Sequence, residues 1–385
     1  MRISYLDNAA TTPVDKRVLA AMLPYFSEKF GNPGSMHQKG LEAKEAVEEA
    51  RKKIAKLIEA EPDEIIFVSG GTESDNLALI GIANALKEKG NHIITTNIEH
   101  HAVFDTCEYL EEQGFKVTFV PVEKNGIVNP KEIEKVITKD TILISVIYAN
   151  NEIGTIQPIG EISKIAKSKE ILFHTDACQA AGYLDINAKN LGVDLMTLNG
   201  SKIYGPKGIG ILYAKKGTVI QPIIYGGGQE KGMRSGTENV PAIAGFAKAL
   251  EIAQKERENE SKRLVKLRDN LVDGIKNKIP DIIINGDLKK RLPNNVNISF
   301  LGVEGESMLL HLDAKGICAS TGSACSSHSL EPSHVIKALG NSDEVSHGSL
   351  RFSLGRHTTE EDIDKVLKEL PKIVESLRKI SPIAK

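Results

Sequence analysis

The feature that most constrains this chain is a rhythm between Glu64 and Ala214. Seven short apolar runs, EIIFVSG, HIITTN, KVTFVPV, TILISVIY, ILFHTDA, DLMTLNG and GIGILYA, alternate there with stretches of helical character. Buried strands joined by helical crossovers produce such a pattern, which predicts an α/β fold with a mostly parallel seven-stranded sheet covered by helices. Ahead of it, Leu41 to Ile58 carries Ala43, Val47, Ala50, Ile54 and Leu57 at helical spacing with charges between them, the pattern of an amphipathic helix. At 385 residues the chain exceeds what one core usually organises. We place a large domain over residues 13–255 and a small α+β domain over 1–12 and 256–385. KERENESKR, inside the helical stretch Pro241 to Lys278, has no apolar face and predicts a solvated bridging helix. Beyond it VNISFL and SLRFSLGR alternate like strands, and TTEEDIDKVLKELPKIVESLRK is amphipathic.

The near balance of 49 basic and 51 acidic residues carries no electrostatic footprint for direct nucleic-acid binding. MRISYLDNAATT has no basic start followed by an apolar stretch, and no apolar run is long enough to span a bilayer, so a cytoplasmic protein without a membrane partner is expected. Four cysteines, Cys107, Cys178, Cys318 and Cys325, form neither a disulfide framework nor a CxxC pair, and no metal site is expected. In a reducing compartment most such cysteines are small buried hydrophobes. Cys318, flanked like a strand residue in KGICAS, is expected in the core. Cys325 differs, because STGSACSSHS is so rich in small polar residues that it reads as an exposed loop.

Three signals converge on one chemistry. SGGTESDN, after the first run, sets two glycines before Thr72 and a helix start, where backbone N–H groups and the helix dipole attract an anion. Asp176 ends the run ILFHTDA, and ligands of open α/β sheets gather at the carboxyl ends of strands. Lys202, in TLNGSKIYGPKG, follows another run and reaches the same sheet edge. Taken singly, these are also a connector, a helix cap and a solvated lysine. Together they supply what pyridoxal 5'-phosphate needs: a phosphate anchor, a pyridinium partner and a Schiff-base amine.

The motifs YLDNAATTP, FGNPGSMH, SGGTESDN, EHHAV, ANNEIGTIQP, HTDACQA, KIYGPKGIG, GGGQEKGMRSGTENV, STGSACSS and LRFSLGR follow one another in order. In them the chain resembles the cysteine desulfurases of iron-sulfur cluster assembly, from Tyr5 to Pro382. The resemblance implies an aspartate-aminotransferase-like fold (PLP fold type I) and a homodimer. It implies that Lys202 forms the Schiff base, that Asp176 keeps the pyridine nitrogen protonated, and that His100 stacks on the ring and aids proton transfer. Asn151 and Gln179 would hydrogen-bond the ring and its phenolic oxygen. Gly71 and Thr72 would hold the phosphate together with Thr237 of the opposite subunit. Asn32 and Arg351 would clamp the carboxylate of the substrate, L-cysteine, with Arg356 as the rival arginine.

Cys325 would accept the substrate sulfur as a persulfide, with His328 a candidate for its activation. Sulfur would then pass to an iron-sulfur scaffold protein, to tRNA thiolation or to another acceptor. Ser201 stands where the family usually has a histidine and Asn199 where a serine is common; both are expected at the phosphate. SPIAK ends the chain where several relatives continue into a tail linked to scaffold docking. A selenocysteine lyase or aminotransferase on the same fold and a non-catalytic sulfur-relay adapter are the rival readings. The thiol loop speaks against a plain aminotransferase, and intact Lys202, Asp176, His100 and Cys325 speak against an adapter.

Overall fold

A computed structural model describes residues 2–321 and 332–380. A short strand, β1 (Ser4–Tyr5), precedes the large sheet, and each of the seven apolar runs then forms one strand of that sheet. They are β2 (Ile65–Val68), β3 (His92–Thr96), β4 (Lys116–Val120), β5 (Thr141–Ser145), β6 (Leu172–Asp176), β7 (Leu195–Asn199) and β8 (Gly210–Ala214), in the order β2-β8-β7-β6-β5-β3-β4. Only β8 runs against the others, antiparallel to both β7 and β2. The reason is local: a parallel crossover needs a dozen or more residues, and the link 200–209 is too short to make one.

The amphipathic segment forms the helix Gln38–Leu57, begun at His37, whose Nδ1 accepts the Gly40 N–H. Ala43, Val47, Ala50 and Ile54 are buried against the sheet core, and Leu57 is half-buried. The helix Val240–Lys278 runs for 39 residues, about 58 Å at 1.5 Å per residue. Its first part, through Ala253, packs into the core of the large sheet, whereas Leu264, Leu267, Leu271 and Ile275 enter a second core. Between them no residue of KERENESKR is buried, as its lack of an apolar face requires. There the bridge is held by polar contacts, with Arg263 donating to the carbonyls of Gly355 and Thr358.

The second core surrounds small strands: β9 (Ile282–Ile284), β10 (Asn295–Phe300), β11 (Ile317–Cys318) and β12 (Ser349–Ser353). β10 lies antiparallel between β9 and β12, and β11 pairs in parallel with β1. The helix Glu360–Ile380 covers this core with Ile363, Val366, Leu370, Ile373 and Val374. Cys318 corrects the core expectation. It does lie in a strand, but alternation buries Ile317 and leaves Cys318 half-exposed. Among the described residues no helix is long and apolar enough to cross a membrane.

Candidate active site

One cleft opens at the carboxyl ends of the parallel strands, and Gly71, Thr72, His100, Asn151, Asp176, Gln179, Asn199, Lys202 and Arg351 line it. At one end lies the start of the helix Gly71–Leu86, where no side chain caps the first turn. Glu73 turns back to accept the Ser69 N–H at 2.9 Å, so the turn after β2 is tied, and Gly71 and Thr72 at the helix start line the cleft. Gly71 is required by packing: a Cβ there would lie 2.8 Å from the Cys178 sulfur.

Asp176 is the last residue of β6, and its Oδ1 accepts the Cys178 N–H at 2.8 Å. Lys202 sits in a single 3₁₀ turn after β7 and donates from Nζ to the Ala10 carbonyl at 2.6 Å. Gln179 donates to the Ala9 carbonyl at 2.9 Å. The amino-terminal segment thereby forms one wall of the cleft. His100 caps the helix His101–Glu112, its Nδ1 accepting the Ala102 N–H at 3.0 Å, which puts the proton of the neutral ring on Nε2. Burial holds the His100 pKa below the ordinary histidine value; Asp176 opposes this and the Lys202 charge adds to it.

Arg351 comes from β12, opposite Asn297, and is almost wholly buried. It donates to the Asn151 carbonyl at 3.1 Å and to Asp7 Oδ1 at 2.9 Å. Arg356 lies past the strand end. Its guanidinium stacks 4.4 Å from the Tyr204 ring centre and pairs with Asp15 and Glu256, so its hydrogen-bonding capacity is directed away from the cleft.

Asn32 and Ser201 do not line the cleft, and neither does Thr237, which is expected at the cofactor of the opposite subunit. Asn32 is exposed and its Oδ1 accepts the Gly34 N–H. Ser201 is half-buried and its hydroxyl turns onto Asn199 Oδ1 at 3.2 Å. Thr237 is exposed on the loop before the long helix and lines a separate depression with Arg234 and Glu238. Cys325 and His328 lie outside the described residues.

The cleft also holds acids whose roles the sequence reading did not assign, although each stands inside a quoted motif: Asp75 of SGGTESDN, Glu99 of EHHAV and Glu152 of ANNEIGTIQP. Their burial, which the motifs do not express, makes them notable. Glu99 accepts from Thr96 and the Ile147 N–H through Oε1, while Oε2 has no hydrogen-bond partner. Burial raises its pKa to about 8, against the opposing pull of those two donors. Between its ordinary value of 4.5 and about 8 the folded chain holds a proton that the unfolded chain releases. Stability therefore falls as pH rises through that window, by up to about 1.4 kcal/mol per pH unit. Glu99→Gln is expected to flatten this part of the slope, read from urea unfolding of both proteins at pH 6 and pH 8.

The residues present fit pyridoxal phosphate: an uncapped helix start and glycine cradle for the phosphate, a buried carboxylate for the ring nitrogen and an amine for the aldehyde. This constellation at the edge of this sheet defines a pyridoxal-phosphate enzyme of fold type I.

The aminotransferase class-V family model matches residues 4–366. The chain is 55% identical over 378 residues to cysteine desulfurase IscS of Dictyoglomus turgidum, covering 98% of this chain and 96% of that protein. It is 56% identical over 379 residues to cysteine desulfurase IscS of Methanosarcina thermophila, covering 98% of this chain and 94% of that one. A solved NifS-like protein superposes with a TM-score of 0.92 at 42% identity, over 98% of this chain and all of the other. The chain belongs to the class-V aminotransferase family and, within it, to the cysteine desulfurases, which depend on pyridoxal phosphate.

Proposed function

We propose that this protein converts L-cysteine to L-alanine and collects the sulfur as a persulfide on Cys325, for transfer to an iron-sulfur scaffold or another acceptor. The observation that carries the reading is the convergence of Lys202, Asp176 and the uncapped start of the helix Gly71–Leu86 on one cleft. When bound, pyridoxal phosphate supplies a carbonyl for the substrate amine and a ring that draws electrons from its α-carbon. Asp176 provides the negative charge that keeps the ring nitrogen protonated. His100, neutral with its proton on Nε2, offers an uncharged face for stacking. Arg351 binds the substrate carboxylate, and Lys202 Nζ takes the α-proton and later returns one to the product.

Cys325, as thiolate, forms a bond to the substrate sulfur while the bond from that sulfur to Cβ breaks. The electron pair of the broken bond stays on the carbon skeleton, which leaves as alanine after protonation. Thr237, exposed on its own protomer, serves the cofactor phosphate of the second protomer in a homodimer, and Asn32 completes the substrate clamp after assembly. The protein works in the cytoplasm. Incubation of the purified holoprotein with L-cysteine is expected to yield alanine and sulfide in equal amounts under a reductant; a keto acid in place of alanine would overturn the reading.

Arg351 allows a narrower test. A planar guanidinium can serve Asp7 and a carboxylate at once, which a lysine ammonium cannot reproduce. Arg351→Lys is expected to raise the KM for cysteine by about tenfold to a hundredfold. Steady-state kinetics on the cofactor-loaded variant check this.

A further inference from the structure

Beneath Asp176 lies a buried polar layer that the proposed reaction does not use. In the register of the sheet Ser145 of β5 stands beside His174 of β6, and Asp176 of β6 beside Thr197 of β7. His174 and Asp176 share a face because they are two residues apart on one strand. The helix Gly71–Leu86 brings Ser74 and Asp75 onto that face, and all of these side chains are buried.

The hydrogen bonds of this layer have one direction. Ser74 Oγ donates to the Ile211 carbonyl at 3.0 Å, so its single proton is committed, and it can only accept from Thr197 Oγ1 at 2.9 Å. The Thr197 proton is spent there, so Thr197 must accept from His174 Nε2 at 3.0 Å. The neutral His174 then has no proton on Nδ1, which accepts from Ser145 Oγ at 2.9 Å. Burial, which takes the His174 pKa down to about 4, agrees with a neutral ring.

In this arrangement the protons of Ser74, His174 and Ser145 are allocated, and Asp75 competes with Ser74 for that of Thr197. Its Oδ1 is fully enclosed without a hydrogen-bond partner, and the nearest ring nitrogen, His174 Nε2, is 3.6 Å away and pointed at Thr197. Asp176 presents a second carboxyl nearby, and Glu99 a third. An ionised Asp75 would be a buried anion facing other acids, helped by the Thr197 hydroxyl, whose proton Ser74 also claims, and proteins avoid such an arrangement by protonation. Burial, with the Asp176 charge added and against the opposing pull of the Thr197 hydroxyl, raises the Asp75 pKa well above the ordinary carboxylate value. As an acid, Asp75 has a proton of its own, and the second lone pair of Thr197 Oγ1 can take it.

We propose that Asp75 is a positioning residue that works as a neutral acid: with Thr197, His174 and Ser145 it forms an uncharged floor of fixed polarity beneath Asp176, whose negative charge faces the cofactor ring. This rests on the reading that Asp176 faces pyridoxal phosphate. The asparagine side chain keeps the shape, the neutrality and a donor for Thr197, whereas alanine removes the donor and opens a gap.

The test uses wild type, Asp75→Ala and Asp75→Asn, each stripped of cofactor and reloaded, with circular dichroism to show that the fold is kept. Asp75→Ala is expected to weaken pyridoxal-phosphate affinity about tenfold and to shift the visible band of the resting holoenzyme, and Asp75→Asn to recover most of both. Infrared difference spectra at neutral pH are expected to show a protonated carboxyl band in wild type that Asp75→Asn lacks. An Asp75→Asn variant as impaired as Asp75→Ala, or the absence of that infrared difference, overturns the proposal. An Asp75→Ala variant matching wild type in both affinity and band overturns it too. Failure of the wild type itself to take up pyridoxal phosphate would instead overturn the reading of the cleft.

Discussion

Lys202→Ala is expected to abolish the visible absorption that reports covalent attachment of pyridoxal phosphate, and to lower alanine formation by roughly 10³-fold or more. Nothing else in the cleft replaces it: among the described residues Lys202 is the one lysine lining the cleft, and the nearby Lys207 is exposed. Its ammonium end lies 2.6 Å from the Ala10 carbonyl, so the amine is already held at the cofactor edge by the amino-terminal wall. The variant keeps the helix start at Gly71 and the carboxylate of Asp176, and noncovalent cofactor is expected to remain until dialysis removes it. Absorption spectra before and after dialysis, with alanine assayed alongside, check both halves. A retained band of normal intensity would assign the covalent role to another lysine.

Cys325→Ser is expected to leave that band intact and to reduce sulfur release from cysteine by roughly 10³-fold, because a hydroxyl is far less nucleophilic toward sulfur than a thiolate. The other cysteines are poorly placed to substitute. Burial pushes the thiols of Cys107 and Cys178 well above the ordinary cysteine value, and Asp176 adds to the effect at Cys178. Cys318 is raised by burial and by Asp313 and Asp7, and it is not among the residues that line the cleft. Mass spectrometry of the cysteine-treated enzyme is expected to find one added sulfur on Cys325 in wild type and none in the variant. A persulfide on Cys318 or Cys178 would reassign the acceptor.

The two residues differ in how far the chain alone made them legible. Lys202 was marked by its place after a strand and by two companions that the same sheet edge had to collect. Cys325 was marked by a loop composition and by ordered motifs, and it lies outside the described residues. The arginine choice rested on the resemblance alone. SLRFSLGR presents Arg351 and Arg356 in equivalent chemistry, and pairing of β12 with β10 puts one in the cleft while Tyr204 and Asp15 engage the other. Asp75 and Glu99 were likewise visible as letters within motifs. Their importance comes from lost solvent and missing donors, which depend on atoms contributed by β5, β6, β7 and β8 around Asp75 and by Thr96 of β3 and Ile147 around Glu99.

By itself the sequence determined the seven strands, the bridging helix and the glycine turn that starts the helix after β2, because each follows from local periodicity and from which residues can start a helix or end a strand. Only the tertiary structure decided that β8 is reversed, that Arg356 is engaged by Tyr204 and Asp15 away from the cleft, that Asn32 and Ser201 stand off it, and that Asp75 and Glu99 are enclosed with an oxygen lacking a donor. The physical reason is one of range. Strand and helix formation is governed by neighbours along the chain, whereas desolvation, hydrogen-bond direction and charge pairing are set by groups that only folding brings together.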